Sequence, residues 1–176
     1  IAIGTSRLFG FDLMKNFAFP YFSRNIREFW RRWHISLTSW FKDYFYISIG
    51  GSRGGKLMQL RNTFLIFLVI GFWHGAHWKF IVYGFINALH FVPGILKGKS
   101  DKYEHFVAHN KWFPSTIELF NMLKTFVFLV LVRIFFRADN VSIALNYILN
   151  IFSKDIFTIP NFENKTGAFS LTLLIG

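Results

Sequence analysis

Cysteine is absent from the 176 residues, which excludes disulfides, thiolate metal sites and cysteine nucleophiles and leaves the redox compartment unreadable. Charge is scarce as well. Asp, Glu, Lys and Arg together make up 16% of the chain, where a soluble domain carries about a quarter. Acid is the scarcer sign: 9 Asp and Glu stand against 20 Lys and Arg, for a formal net charge of +11. The 4 prolines leave long stretches free to form helix. Apolar residues fill the gap, at 53% of the chain with 25 Phe among them. This is the composition of a membrane protein. Basic excess beside long apolar runs reads as Lys and Arg facing phospholipid headgroups, not nucleic acid. An anionic substrate or cofactor is the other reading. The chain opens on Ile without a basic n-region, so no signal peptide is visible. It ends in "AFSLTLLIG" (168–176), which resembles the start of another apolar span. The sequence therefore reads as an internal piece of a longer polytopic chain.

Along the chain, residues 1–22 are mixed and punctuated by Gly4, Gly10 and Pro20, which predicts loop, short helix and a turn near Pro20. In "NIREFWRRWHISLTSWFKDYFYI", the residues Ile26, Phe29, Trp30, Trp33, Leu37, Trp40, Phe41 and Tyr44 recur at helical spacing. They share an arc of about 120°, which predicts one amphipathic helix over about 25–46 at the membrane interface. Asn25 with Glu28 fits a capping box at its start. Arg27, Arg31, Arg32 and Lys42 fall off the apolar arc, and His34 sits at its edge. "GGSRGGK" (50–56) nearly matches a phosphate-binding loop, but Leu57 stands where that loop needs Ser or Thr, so a solvated loop is expected.

Residues 63–92 form an apolar run with a single Lys. As one helix it would be about 45 Å long, more than the roughly 30 Å hydrocarbon core needs. It is either long and tilted or broken near Gly71 and Gly75, and two short halves would suit a re-entrant element. Basic residues on both flanks give no clean orientation. Residues 94–114 read as polar loop, 116–136 as a second span, with Glu118 and Lys124 near one end and Arg133 near the other, and 140–153 as a short amphipathic segment. The expected class is all-α: a polytopic membrane fragment with transmembrane or re-entrant helices and interfacial amphipathic helices.

The sharpest chemical feature is "GFWHGAHW" (71–78), which sets His74 and His77 in the most apolar part of the chain. An ionisable residue in a span costs a few kcal/mol unless it faces a partner or a cavity. On an unbroken helix, His74, His77, Gly84 and Asn87 would share an arc of about 140° and line one polar path. Imidazole titrates near neutral pH, so general acid–base catalysis is one reading. Metal or haem ligation is a second, although "HGAH" is not the HExxH motif and no carboxylate lies nearby in sequence. A histidine bonded to a backbone carbonyl between packed helices is the third. His34 is a second candidate, while His90, His105 and His109 have weaker claims. Arg31 and Arg32 would face lipid phosphate or a phosphorylated cofactor.

Three blocks, "REFWRRWHISLTSWFKDYFYISIGGSRGG", "RNTFLIFLVIGFWHGAHWKFIVYGFINALH" and "RIFFRADN", resemble in order and spacing the membrane-bound O-acyltransferase family. The alginate O-acetyltransferase-like branch is the nearest in pattern, and the opening "IAIGTSRLFGFDLMKNFAFPY" matches it too. The resemblance covers nearly all of 1–176 and implies a partial catalytic domain. It places the catalytic histidine at His74 and a second site histidine at His34. His77 lies outside the core motif and ranks lower, and Ser48 stands where the family pattern has Pro. By the same resemblance the reaction moves an acetyl group from a thioester, with acetyl-CoA as donor and no bound cofactor or metal, to hydroxyls of an exported polysaccharide. Membrane lipid and periplasmic acetyltransferase-like proteins are the implied partners, without nucleic acid, at the bacterial inner membrane. A sister branch supplies D-alanine to teichoic acids. His74 would be the base, and His34, the Trp73 indole N–H or a backbone N–H near Gly75 would stabilise the oxyanion. Trp30, Arg31, Arg32, Trp73, Gly75, His77 and Asn87 complete the expected substrate-binding set. A non-catalytic pore or scaffold is the rival expectation.

Overall fold

The computed structural model describes residues 2–98, 107–108 and 112–153. The expected span beginning near 168, and with it His105 and His109, lies outside the described residues. The regular elements among the described residues are all helical, with no strand. Helix α1 (Ala2–Leu8) leads through an irregular segment to a short 3₁₀ turn at Pro20–Phe22. Helices α2 (Ile26–Arg32) and α3 (Ile35–Trp40) follow, and α3 runs on into a π-helical turn at Phe41–Tyr46. Three long helices come next: α4 (Gly55–His74), α5 (Trp78–Leu96) and α6 (Thr116–Arg137), each long and apolar enough to cross a membrane. The short α7 (Val141–Ile151) closes the described part.

The apolar run is thus two spans and not one. It begins at Gly55 and ends at Leu96, so each half has a full 20 or 19 residues, about 30 Å of helix. The break falls at Gly75, while Gly71 stays helical. Gly75 holds φ 152° and ψ 150°, a conformation reserved almost entirely for glycine. A Cβ there would also lie 2.7 Å from the Phe80 ring. The two spans fold back on each other. Gly71 meets the Phe80 carbonyl, Gly84 meets the Phe67 carbonyl, and Lys56 Nζ donates to the Leu96 carbonyl at 2.8 Å. These pairings are antiparallel. A Cβ on Gly71 or Gly84 would come within 2.3 Å of the facing carbonyl oxygen, so both glycines permit the close approach of the backbones.

Helix α6 runs antiparallel to α5: Lys79 Nζ donates to the Ala138 carbonyl at 2.7 Å, Tyr83 packs on Phe136 and His90 on Phe128. Tyr83, Val132, Phe135 and Ala144 make one core where α7 covers α5 and α6. Ile26, Phe29 and Leu129 make a second, where α2 lies across the bundle. Elsewhere the spans present exposed apolar side chains such as Ile117, Phe120 and Leu123, the surface a helix offers to lipid.

The single helix expected over 25–46 is broken at Trp33–His34. Local spacing favours continuation, but His34 takes φ 46° and ψ 54°, the left-handed region. Beyond the break the apolar stripe is only partly covered: Ile26 and Phe29 before it and Phe41 after it are buried, whereas Trp40 and Tyr44 are exposed. The cap at the start of α2 also differs in part. Asn25 Oδ1 accepts from the Glu28 N–H at 2.7 Å, but the Glu28 carboxylate turns to Arg24. Buried Arg24 donates to Glu28 Oε1 at 3.0 Å and to Glu118 Oε1 at 2.8 Å, tying α2 to the first turn of α6. Burial disfavours the Arg24 charge, yet the bonds to Glu28 and Glu118 outweigh it and raise its pKa. A complete capping box stands instead at Ser115 and Glu118.

Candidate functional site

Two helix breaks face each other. On one side, α2 ends at Arg32 and leaves Trp33 extended and His34 left-handed. A non-glycine residue in that region costs about 1–2 kcal/mol, and histidine is among the types enriched there. Residues 16–18 cross the break and hold it. The Ala18 N–H donates to the Arg32 carbonyl, the Ile35 N–H to the Asn16 carbonyl, and the Ser36 N–H to Asn16 Oδ1, all at 2.9–3.0 Å. Phe17 packs edge-on against Trp33 and tilted against His34. The break thus frees the Arg32 carbonyl and the Ile35 and Ser36 N–H groups, and residues 16–18 pair each of them. On the other side, α4 stops at His74 because Gly75 cannot continue it, and the His74 ring packs edge-on against Phe136 of α6 and its own neighbour Trp73.

The two histidines, forty positions apart, line one cavity of about 140 Å³. Trp30, Trp33, His34, Leu37, Thr38 and Phe41 make its floor, and Ile70 and His74 come from α4. Tyr83 of α5 and Arg133 and Phe136 of α6 close it. Three buried nitrogens on this wall have no protein partner: Trp30 Nε1, His34 Nδ1 and Arg133 Nε. Buried polar atoms are nearly always paired, so three orphans around one cavity mark a place built to meet something polar. Among the described residues no third His, Asp or Glu joins the pair in a metal-ligand cluster.

A wider cavity of about 540 Å³ adjoins the first and shares Trp30, Thr38 and Ile70 with it. Arg27, Arg31 and Lys42 line it, together with Gln59 and Thr63. Arg31 and Arg32 therefore part ways: Arg31 faces this cavity, while Arg32 donates to Glu28 Oε1 at 2.6 Å.

The remaining candidates lie elsewhere. The stripe expected on an unbroken helix does not exist, because the chain turns between His74 and His77. His77 is exposed, and its Nδ1 accepts a long 3.5 Å bond from the Lys79 N–H at the start of α5. Asn87 is fully buried and donates to the Tyr83 carbonyl at 2.8 Å. Trp73 is exposed and Gly75 gives its N–H to the Phe72 carbonyl, so neither belongs to the cavity wall. Ser48 donates to the Tyr44 and Phe45 carbonyls and finishes the π-helical turn, away from both histidines. Lys56, the lysine of the phosphate-loop near-match, is spent on the end of α5. Sequence reasoning missed Asn16, Thr38, Tyr83 and Arg133. Of these only Arg133 left a signal, as a cation inside an apolar span.

Fold and site define a membrane-embedded helical protein with paired histidines at an enclosed chamber. The family model for the membrane-bound O-acyltransferases matches residues 1–96, and the chain belongs to that family. It is 40% identical over 169 residues to a peptidoglycan O-acetyltransferase of Helicobacter pylori, covering 96% of this chain and 31% of that protein. It is 38% identical over 144 residues to a probable alginate O-acetylase, AlgI, of Pseudomonas syringae pv. tomato, covering 82% and 26%. It is 34% identical over 121 residues to a teichoic acid D-alanyltransferase of Bacillus subtilis, covering 65% and 29%. The chain thus spans about a third or less of the length of these relatives.

Proposed function

We propose that this chain carries the acyl-transfer centre of a multi-pass O-acyltransferase of a bacterial inner membrane, which acetylates hydroxyls of an exported polysaccharide. The observation that carries the reading is the convergence of His34 and His74 on one enclosed cavity between α3, α4 and α6. In the proposed reaction the neutral imidazole of His74 takes the proton of an acceptor hydroxyl as its oxygen attacks the thioester carbonyl carbon. The C–O bond forms, the C–S bond breaks, and the thiolate leaves with the proton. His34 faces the same chamber and orients the reacting groups. The adjoining cavity, with Arg27, Arg31 and Lys42, suits the anionic part of a phosphorylated donor such as acetyl-CoA, or a lipid phosphate. Periplasmic acetyltransferase-like proteins are the partners that fit an exported acceptor. Two of the relatives named above act by name on polysaccharide hydroxyls, which favours acetyl transfer. D-alanyl transfer to teichoic acid is the second reading, supported by the match to the alanyltransferase.

The test is His74→Ala in the full-length protein. Acetyl content of the host's exported polymer should fall by about 10²-fold or more, while membrane abundance of the protein stays unchanged. Normal acetylation in that strain would sink the assignment and return the chain to a pore or scaffold role. Loss of D-alanine in place of acetyl would select the second reading.

A further inference from the structure

A cation in the interior of a membrane span is costly unless something meets it. Arg133 sits four positions before the end of α6, on the wall of the chamber that holds His34 and His74. No carboxylate among the described residues pairs with it, and its Nε is buried without a protein partner. Its recorded neighbours are ring faces: the guanidinium lies 4.2 Å from the Trp33 centroid and 5.7 Å from that of Tyr21. Stacking of this kind fixes the guanidinium plane and leaves its donors unspent. Trp30 adds a second buried donor without a partner, its indole N–H, on the same wall.

The size of the chamber says what these donors meet. A cavity of about 150 Å³ holds a benzene molecule. This chamber, at about 140 Å³, has room for an acetyl group and a reacting hydroxyl carbon, and it opens onto the wider cavity, where the rest of donor and acceptor can lie. A thioester carbonyl seated in the chamber lies among these donors, so the charge that develops on its oxygen meets Arg133. We infer that Arg133, assisted by the Trp30 indole N–H, stabilises the oxyanion of the acyl-transfer step. The inference rests on the acyl-transfer reading above. When the hydroxyl oxygen bonds to the carbonyl carbon and His74 takes its proton, the C=O π electrons move onto oxygen beside the guanidinium. When the tetrahedral centre collapses, that pair re-forms C=O, the C–S bond breaks, and the thiolate takes the proton from His74. The cation gains an interaction only while the charge exists, as preorganised stabilisation requires.

The experiment uses full-length protein in nanodiscs, with acetyl-CoA as donor probe and de-acetylated fragments of the host's own polymer as acceptor. Arg133→Met should lower kcat by about 10²–10³-fold, with both KM values within about threefold and the melting temperature retained. Arg133→Lys should recover at least about tenfold over the Met variant, because charge returns without the fork. Should Met fail to fold, Arg133→Gln is read by the same criteria. A kcat within threefold of the parent overturns the inference, and so does a loss confined to acceptor KM, which would make Arg133 a reader of acceptor charge. His74→Ala, run alongside, separates the two failures. If it is inactive while Arg133→Met is active, only the oxyanion assignment falls. If it is active, the acyl-transfer reading falls first.

Discussion

At the two ends of α2 lie two buried polar clusters that are built in opposite ways. At its start, Arg24, Glu28 and Glu118 pair charge with charge, with Arg32 reaching back from the last residue of α2, and Arg24 and Glu28 are almost fully buried. At its end, Trp30, His34 and Arg133 are half-buried, yet their buried Nε1, Nδ1 and Nε atoms find no protein partner. Burying a polar group without a bond costs about 1–3 kcal/mol, so a protein keeps orphans only where something else repays them. The paired cluster locks α2 against α6. The unpaired one is left open to chemistry. Both sit on a single two-turn helix, so the first helps hold the second in place.

The contrast can be broken from either side. The largest effect on stability is expected at Glu28. Glu28→Ala removes the carboxylate that Arg24 and Arg32 share, leaves Arg24 its bond to Glu118, and should cost about 3 kcal/mol, read as a lower melting temperature in detergent. An unchanged melt would mean that the network is ornamental. A smaller loss, about 1 kcal/mol, is expected for Asn16→Ala, which removes the Oδ1 acceptor of the Ser36 N–H but leaves the backbone bond to Ile35. Acetyl transfer should fall more than the melt predicts, since Asn16 helps hold His34 left-handed. The smallest stability change, within about 0.5 kcal/mol, is expected for His34→Asn, because asparagine tolerates the same backbone region. Its transfer rate should nevertheless drop by at least about tenfold. A His34→Asn variant with parental activity would remove His34 from the chemistry and leave it a structural turn.

Legibility varied with the range of the forces involved. The span 116–136 and the short amphipathic segment 140–153 were visible in apolar run length and periodicity, and appear as α6 and α7 to within a few residues. The break at Gly75 was one of two alternatives the apolar run allowed, and the glycine signal was local. The break at His34 was invisible, because the periodicity of the apolar residues continues through it. What decides it is a stitch from residues 16–18 to residues 14 to 20 positions further on, together with aromatic packing by Phe17. Asn87 and His77 looked like companions of His74 only on an unbroken helix, and the turn between the spans sent each elsewhere.

Few charges and apolar runs of about 20 residues or more determined that this chain belongs in a membrane as helices, since a helix that long crosses the hydrocarbon with its backbone bonded internally. Motif resemblance alone singled out His34 and His74 as the pair to watch. Tertiary structure decided that they share a chamber, and it added Arg133 from α6. No rule of local spacing connects position 34 to 74 or 133. Their meeting depends on how two helix breaks and an antiparallel hairpin, closed by Gly71 and Gly84, pack against one another.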